Sequence, residues 1–240
     1  NALLLGAYTH WSRRRRNPLS ERVVTEIVAW LLDEMRTEQG AFAASLDADS
    51  KDDHGELHEG AYYVWDRDQL LAALGEHDAT WAAEIFAVTA AGTFEHGAST
   101  LQLQADHDQV RFADVRERLR VARNHRSRPG RDDKVVAAWN GWLIDALAQS
   151  AMIFSRPDWL AVATEAAEYL WQIHWRDGRL RRTSRDGLVG AAAGILEDYA
   201  AFALAAVRLA AVHAAPIWLT RAEQLVEVIM EQLDDAGRGF

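Results

Sequence analysis

Apolar residues in the segment ERVVTEIVAWLLDEM fall at Val24, Ile27, Val28, Leu31 and Leu32. That is the spacing of a single helical face. Similar patterns cover about 134–154, 158–175, 196–213 and 217–233. These stretches are rich in alanine, which favours helix and lets neighbouring helices approach closely. Further helix-compatible segments lie at about 67–75, 78–88 and 111–126. Strand patterns are short: AYYVW at 61–65, LQLQ at 101–104 and RLRRT at 179–183. The pattern predicts an all-α chain whose core includes Val24, Ile27, Val28, Leu31, Leu143, Leu147, Leu170 and Leu225.

The helical pattern repeats. Pro157-Asp158-Trp159-Leu160 is echoed 59 positions on (157 to 216) by Pro216-Ile217-Trp218-Leu219. At the same offset Ala163 matches Ala222, Glu168 matches Glu227 and Gly178 matches Gly237. Thr25-Glu26 matches Thr164-Glu165 at an offset of 139 (25 to 164). The repeats predict three αα-hairpins, at roughly 1–42, 134–182 and 195–240, with an insertion at 43–133 that carries the short strands. Each second helix ends in a Gly-plus-hydrophobic stop, as in GAF, DGRL and AGRGF. Hairpins of this length stack into an open solenoid or close into an α/α toroid. The Gly-hydrophobic stops favour the toroid, here as a partial ring. Turns inside each hairpin are short and connections between hairpins are long. The long connections and the N-termini of the inner helices therefore share a face, which is where binding groups are expected.

Composition narrows the chemistry. The chain has no cysteine, which removes disulfides, thiolate catalysis and Cys-ligated zinc. A formal net charge of -10 argues against nucleic acid as a partner. No apolar run is long enough for a transmembrane helix, and there is no signal-peptide pattern, so a cytoplasmic location is expected. Asn1 opens directly in a helical pattern and GRGF ends the chain, so both ends are expected to be cut from a longer protein.

Two acidic sets mark inner-helix starts. Arg131-Asp132-Asp133-Lys134 precedes the helix carrying Trp139-Asn140-Gly141-Trp142, and Glu197-Asp198-Tyr199 opens the third hairpin. Asp132, Asp133, Glu197 and Asp198 are the candidate catalytic residues, with Trp139, Asn140 and Tyr199 as candidate sugar contacts. An inverting glycosidase needs two carboxyls about 6.5–9.5 Å apart, and neighbouring inner helices can supply them. The competing reading is simple N-capping, for which Asp is a preferred residue, or neutralisation by Arg131 and Lys134. The loop SLDADSKDDHGELHEG adds Asp47 and Asp49 as further candidate ligand contacts. It is not an EF-hand, because Lys51 stands at the third ligand position. His54 and His58 are separated by Gly55, which argues against a helical zinc pair. No cofactor or metal is expected. His10 and His174 form no recognisable triad, and no GxSxG, Walker or GxGxxG motif is present.

NALLLGAY (1–8), SLDADS (45–50), EGAYYVW (59–65), GTFEHGASTLQL (92–103), RDDKVVAAWNGWLI (131–144) and ILEDYAAF (195–202) together resemble the YyaL / spermatogenesis-associated protein 20 family. The resemblance implies a six-hairpin α/α toroid, of which three hairpins are present here, joined in the family to a thioredoxin-like domain that would lie before Asn1. It implies a carbohydrate-active or carbohydrate-binding domain, glycoside hydrolase-like or sugar epimerase-like, with a sugar ligand. The alternative is a non-catalytic scaffold presenting its long-loop face to a protein partner or to that thioredoxin-like domain.

Overall fold

A computed structural model describes residues 1–52, 54–104 and 108–233. The chain divides into two compact units, one of residues 1–45 with 132–240 and one of residues 46–131.

The first unit is a run of three αα-hairpins. Inner helices α1 (Ala2–Arg14), α6 (Ala137–Phe154) and α8 (Leu196–His213) lie side by side in that order. Outer helices α2 (Pro18–Trp30), α7 (Pro157–Tyr169) and α9 (Pro216–Val228) each pack on the inner helix that precedes them. Each outer helix starts with proline at its first turn, where the missing N–H costs nothing. Each then runs into a five-residue π-helical end, at Leu31–Met35, Leu170–His174 and Ile229–Leu233. The second and third hairpins match residue for residue at the offset of 59 (157 to 216), down to left-handed caps at Ser155 and Ala214.

The core predicted for this unit is largely found. Val24, Val28, Leu31, Leu143, Leu147, Leu170 and Leu225 are buried. Ile27 is only half-buried and lines a surface groove with Asn1, Val23, Glu26 and Trp30. The inner-helix seams are tight because they use small residues. A Cβ on Gly141 would stand 2.7 Å from the backbone of Ala201, so only glycine fits there. Of the RLRRT strand, Arg179–Leu180 pairs with Trp175–Arg176, while Thr183–Arg185 joins a three-stranded sheet with Val135–Val136 and Leu188–Val189. The third stop, AGRGF with Gly237, lies outside the described residues.

The second unit is built on α3 (Arg67–Leu74), α4 (Glu76–Ile85) and α5 (Gln109–Arg123), packed through Leu70, Leu74, Ala82, Ile85, Phe112, Val115 and Leu119. Asp66 and Gln69 form a reciprocal capping box at the start of α3. The acidic loop forms a short hairpin, Asp49–Lys51 against Leu57–Glu59. The strands expected at 61–65 and 101–104 are absent. Residues 60–63 make a turn and only Trp65 bridges, to Ser99. Gln102 and Gln104 donate their N–H groups to the carbonyls of Phe86 and Ile85 at the end of α4. The reason is Arg126, which stacks 4.0 Å over Trp65 and donates to the carbonyls of Ala61, Tyr62 and Val64. Those carbonyls are held by a side chain and not by a neighbouring strand.

Candidate functional site

The rim formed by the N-terminal ends of α6 and α8 collects most of the residues singled out above. The structure sorts them into groups turned inward and groups left in solvent.

Asp198 is turned inward and has no solvent exposure. Its Oδ1 accepts the N–H of Ala138 at 3.1 Å and its Oδ2 accepts the N–H of Ile195 at 3.0 Å. The first tie crosses from α8 to the start of α6; the second closes the start of α8 itself. Arg182 approaches at 3.7 Å and balances the buried charge. A carboxylate bound this way ties the two helix starts together through both of its oxygens.

Asn140 and Tyr199 are likewise turned inward and tied to backbone, in a shared way. Both are buried. Asn140 accepts the N–H of Phe42 at 2.9 Å and donates to the carbonyls of Phe42 and Val136. Tyr199 accepts the N–H of Leu180 at 2.9 Å through its hydroxyl. Phe42 and Leu180 are the hydrophobic residues of the first two Gly-hydrophobic stops, and Asn140 and Tyr199 stand at equivalent places, 59 positions apart (140 to 199), on successive inner helices. Each fastens the stop of the hairpin before it. Buried backbone N–H groups need such a partner.

Asp132 is half-exposed and paired. Lys134 Nζ lies 3.0 Å from its Oδ2 and the Lys134 N–H donates to its Oδ1. The Lys134 ammonium beside it holds its carboxyl below the usual carboxylate range, the opposite of what a general acid needs. Asp133 is half-buried and has partners of its own. Glu197 and Trp139 remain in solvent. Glu197 is exposed, with Arg182 Nη2 3.9 Å from its Oε2. Trp139 is 45% exposed.

Further along the same two helices lies a polar set that the sequence reading missed. Asp145 Oδ1 accepts from Arg208 Nε at 2.8 Å, and its Oδ2 accepts from Gln149 Nε2 at 2.6 Å. This set ties α6 to α8. Asp145 and Gln149, four apart in a mostly apolar helix, were the available signal. Arg182 was missed because it sits in the strand-rich stop, where no periodicity marks it.

Asp47 and Asp49 belong to the second unit. Both are exposed, and Asp47 Oδ1 accepts the N–H of Asp49. Nearby, a cleft of about 450 Å³ is lined by Asp52, His54, His58, Phe94, Glu95 and His96. The His58 and His96 rings meet edge-on at 5.4 Å, and His58 Nε2 lies 3.5 Å from Asp52. Among the described residues no three His, Asp or Glu side chains converge as a metal centre. Among them also, no helix is long and apolar enough to cross a membrane.

Comparison with known proteins places the chain. It is 28% identical to human spermatogenesis-associated protein 20 over 83% of its own length, and 28% identical to the mouse protein over 74%. The chain is similar to the spermatogenesis-associated protein 20 family. It spans about 30% of the length of the human relative. No protein-family model matches. Among solved structures, cellobiose 2-epimerase from Bacillus thermoamylovorans covers 88% of the chain at 9% identity and a TM-score of 0.43, over 54% of its own length. Cellobiose 2-epimerase from Spirochaeta thermophila covers the whole chain at 16% identity and a TM-score of 0.40, over 75% of its own length.

Proposed function

We propose that the hairpin unit is a carbohydrate-binding domain, with its contact surface on the rim of α6 and α8. The observation that supports this reading is that the starts of α6 and α8 carry an exposed aromatic, Trp139, and an exposed carboxylate, Glu197, with the half-buried Arg182 guanidinium 3.9 Å from it. Aromatic faces take the apolar side of a sugar ring, and planar charged groups take its hydroxyls. The Asp145–Arg208–Gln149 set offers more polar groups along the same helices. Catalysis by paired carboxylates is a narrower proposal than before. Asp198 is a clamp and Asp132 is held ionised, so Glu197, with Asp133 as its remaining partner, is the group to test for acid–base work.

The scaffold reading is favoured by one specific observation: Asp132 and Asp198 are occupied by backbone and by cations, as structural residues would be. Calorimetry against a panel of mono- and oligosaccharides separates the two. The sugar reading expects heat of binding that is lost in Trp139→Ala and Glu197→Gln at unchanged melting temperature. Binding that survives both substitutions, or no binding by the wild-type protein, leaves the scaffold reading standing.

A further inference from the structure

The acidic loop alone offers no metal site, because Gly55 separates His54 from His58. The fold of the second unit brings this loop a histidine from elsewhere. His58 stands on the second strand of the loop hairpin, opposite Ser50. His96 is presented by the tight turn Glu95–Gly97. Both line the cleft of about 450 Å³, where their rings meet edge-on at 5.4 Å.

Carboxylates stand beside both rings. Asp52 Oδ2 lies 3.5 Å from His58 Nε2, and Glu56 Oε2 lies 3.8 Å from the same nitrogen. Glu95 Oε2 lies 4.0 Å from His96 Nε2. The loop fixes Asp52, whose Oδ1 accepts the N–H groups of His54 and Glu56, each at 2.9 Å. That leaves Oδ2 for His58. These separations are long for hydrogen bonds, and they suit two ligands of one ion. With metal–donor bonds of about 2.0–2.2 Å and tetrahedral angles, two donor atoms on one metal stand roughly 3.4 Å apart. By the same geometry, two imidazoles on one metal hold their ring centres roughly 5.2 Å apart.

Without an ion the donors form pairs, and among the described residues no three share a point. The outer members of the pairs are able to turn. The side chains of Glu56, His96 and Glu95 are 77%, 76% and 66% exposed, and exposed side chains change rotamer within nanoseconds. Charge and donor type then name the ion. Asp66 is engaged in its cap and Arg126 on backbone carbonyls, so the cleft sets Asp52, Glu59 and Glu95 against Lys51. That balance favours a cation. Paired imidazoles favour zinc, nickel or copper over calcium and magnesium, which take oxygen ligands.

We propose that this cleft is a transition-metal site, closed around the ion by His58, His96 and Asp52 with Glu56 as the fourth ligand. It lies wholly within the second unit and does not depend on the sugar reading of the hairpin unit. The fold of the second unit rests on its apolar core and not on these exposed pairs, which contribute little to stability. The ligands can therefore be replaced one at a time without unfolding it.

The test is calorimetric titration of the 240-residue chain with zinc after dialysis against a chelator. One zinc ion should bind per chain. His58→Gln and His96→Gln should each weaken binding by at least the loss seen for an outer-shell partner, about tenfold, with the metal-free melting temperature unchanged. His77→Gln, at an exposed histidine outside the cleft, should bind zinc like the parent. A large excess of calcium should leave the zinc in place. A second measurement needs no variant: at one equivalent of zinc the ring-proton NMR signals of His58 and His96 should shift together while those of His77 stay. Absence of saturable binding overturns the proposal. So does binding that His96→Gln leaves unchanged, or a His58 signal that moves without His96, because then the two turns do not share an ion. Displacement by calcium overturns it as well, since the ligands would then be carboxylates alone.

Discussion

The hairpin unit and the inserted segment 46–131 are both helical, and different forces set their shapes. In the hairpin unit the same solution recurs. A proline opens each outer helix, a π turn ends it, and a side chain on the next inner helix fastens the stop. In the insertion nothing recurs. Its helices share a small core, and its irregular backbone is held by single polar devices: Arg126 on three carbonyls, and Asp78 between Arg111 and Arg118. The two arginine side chains, Arg118 first, hold the Asp78 carboxyl below its usual range. Repetition spreads stability over many equivalent contacts, whereas single devices concentrate it.

The largest effect that bears on this contrast comes from the cores. Leu147 is buried in α6, a helix that packs against two inner helices and an outer one. Leu147→Ala should cost about 2–5 kcal/mol. Leu70→Ala in the insertion removes a side chain that is equally buried, with the same range expected. Native-state hydrogen exchange should show amide protection lost mainly in the unit that carries the substitution. Equal loss across both units in either variant would show a single cooperative structure and end the contrast.

The next effect is confined to the hairpin unit. His174 ends the π turn after α7 and is fully buried. Its Nε2 lies 2.7 Å from Ser184 Oγ, its Nδ1 lies 2.9 Å from the carbonyl of Arg181, and Tyr169 Oη lies 2.8 Å from the same Ser184 hydroxyl. Burial, helped by the charge of Arg176 and opposed by the Arg181 carbonyl, pushes its pKa down to about 4. An unfolded histidine titrates near 6.5, so between these values the unfolded chain binds more protons. The contribution of a neutral His174 is whole above pH 6.5 and drains away as pH falls toward about 4, a loss of roughly 3 kcal/mol. Melting followed by circular dichroism across that range should show it. His174→Gln keeps a polar side chain without the titration and should flatten the slope; a slope that persists places the acid sensitivity elsewhere.

The same contrast explains what could be read from the sequence. Helix positions, hairpin boundaries and most of the core follow from periodicity, and periodicity was strongest where the chain repeats. Ile27 fits the apolar pattern of α2 and still lines a groove, because periodicity assigns a face without saying whether a neighbour covers all of it. AYYVW has the residue types of a strand, but Arg126, more than sixty positions away, takes its carbonyls. No local pattern reports a long-range arginine. The candidate residues do lie at the starts of two neighbouring helices, and which of them turn inward was not legible. Composition says that Asp198, Asn140 and Tyr199 are polar groups at helix starts. It does not say whether they face water or the next backbone. The offset of 59 (140 to 199) holds that information, since two residues at equivalent places in a repeat with stops to fasten are expected to share a structural task.

The smallest effect separates a repeated fastening from a single one. Tyr199→Phe removes the hydroxyl that receives the Leu180 N–H and leaves that donor buried without a partner. The cost should be about 1–3 kcal/mol. Tyr62→Phe in the insertion is the matched control. Tyr62 is as deeply buried, but its hydroxyl makes a longer bond of 3.2 Å to the side chain of Asn124, an exposed residue that keeps access to water. Its loss should cost about 1 kcal/mol or less. Urea titrations of the two variants measure the difference, provided the denaturant slope stays at the parent value so that the midpoints report stability alone. If Tyr199→Phe were neutral in stability yet changed the heat of sugar binding, Tyr199 would be a ligand contact and the fastening role would fall. If both variants cost the same, the recurrence of the fastening along the inner helices would add nothing to its strength, and the repeat would be a pattern of construction without an energetic consequence at this position.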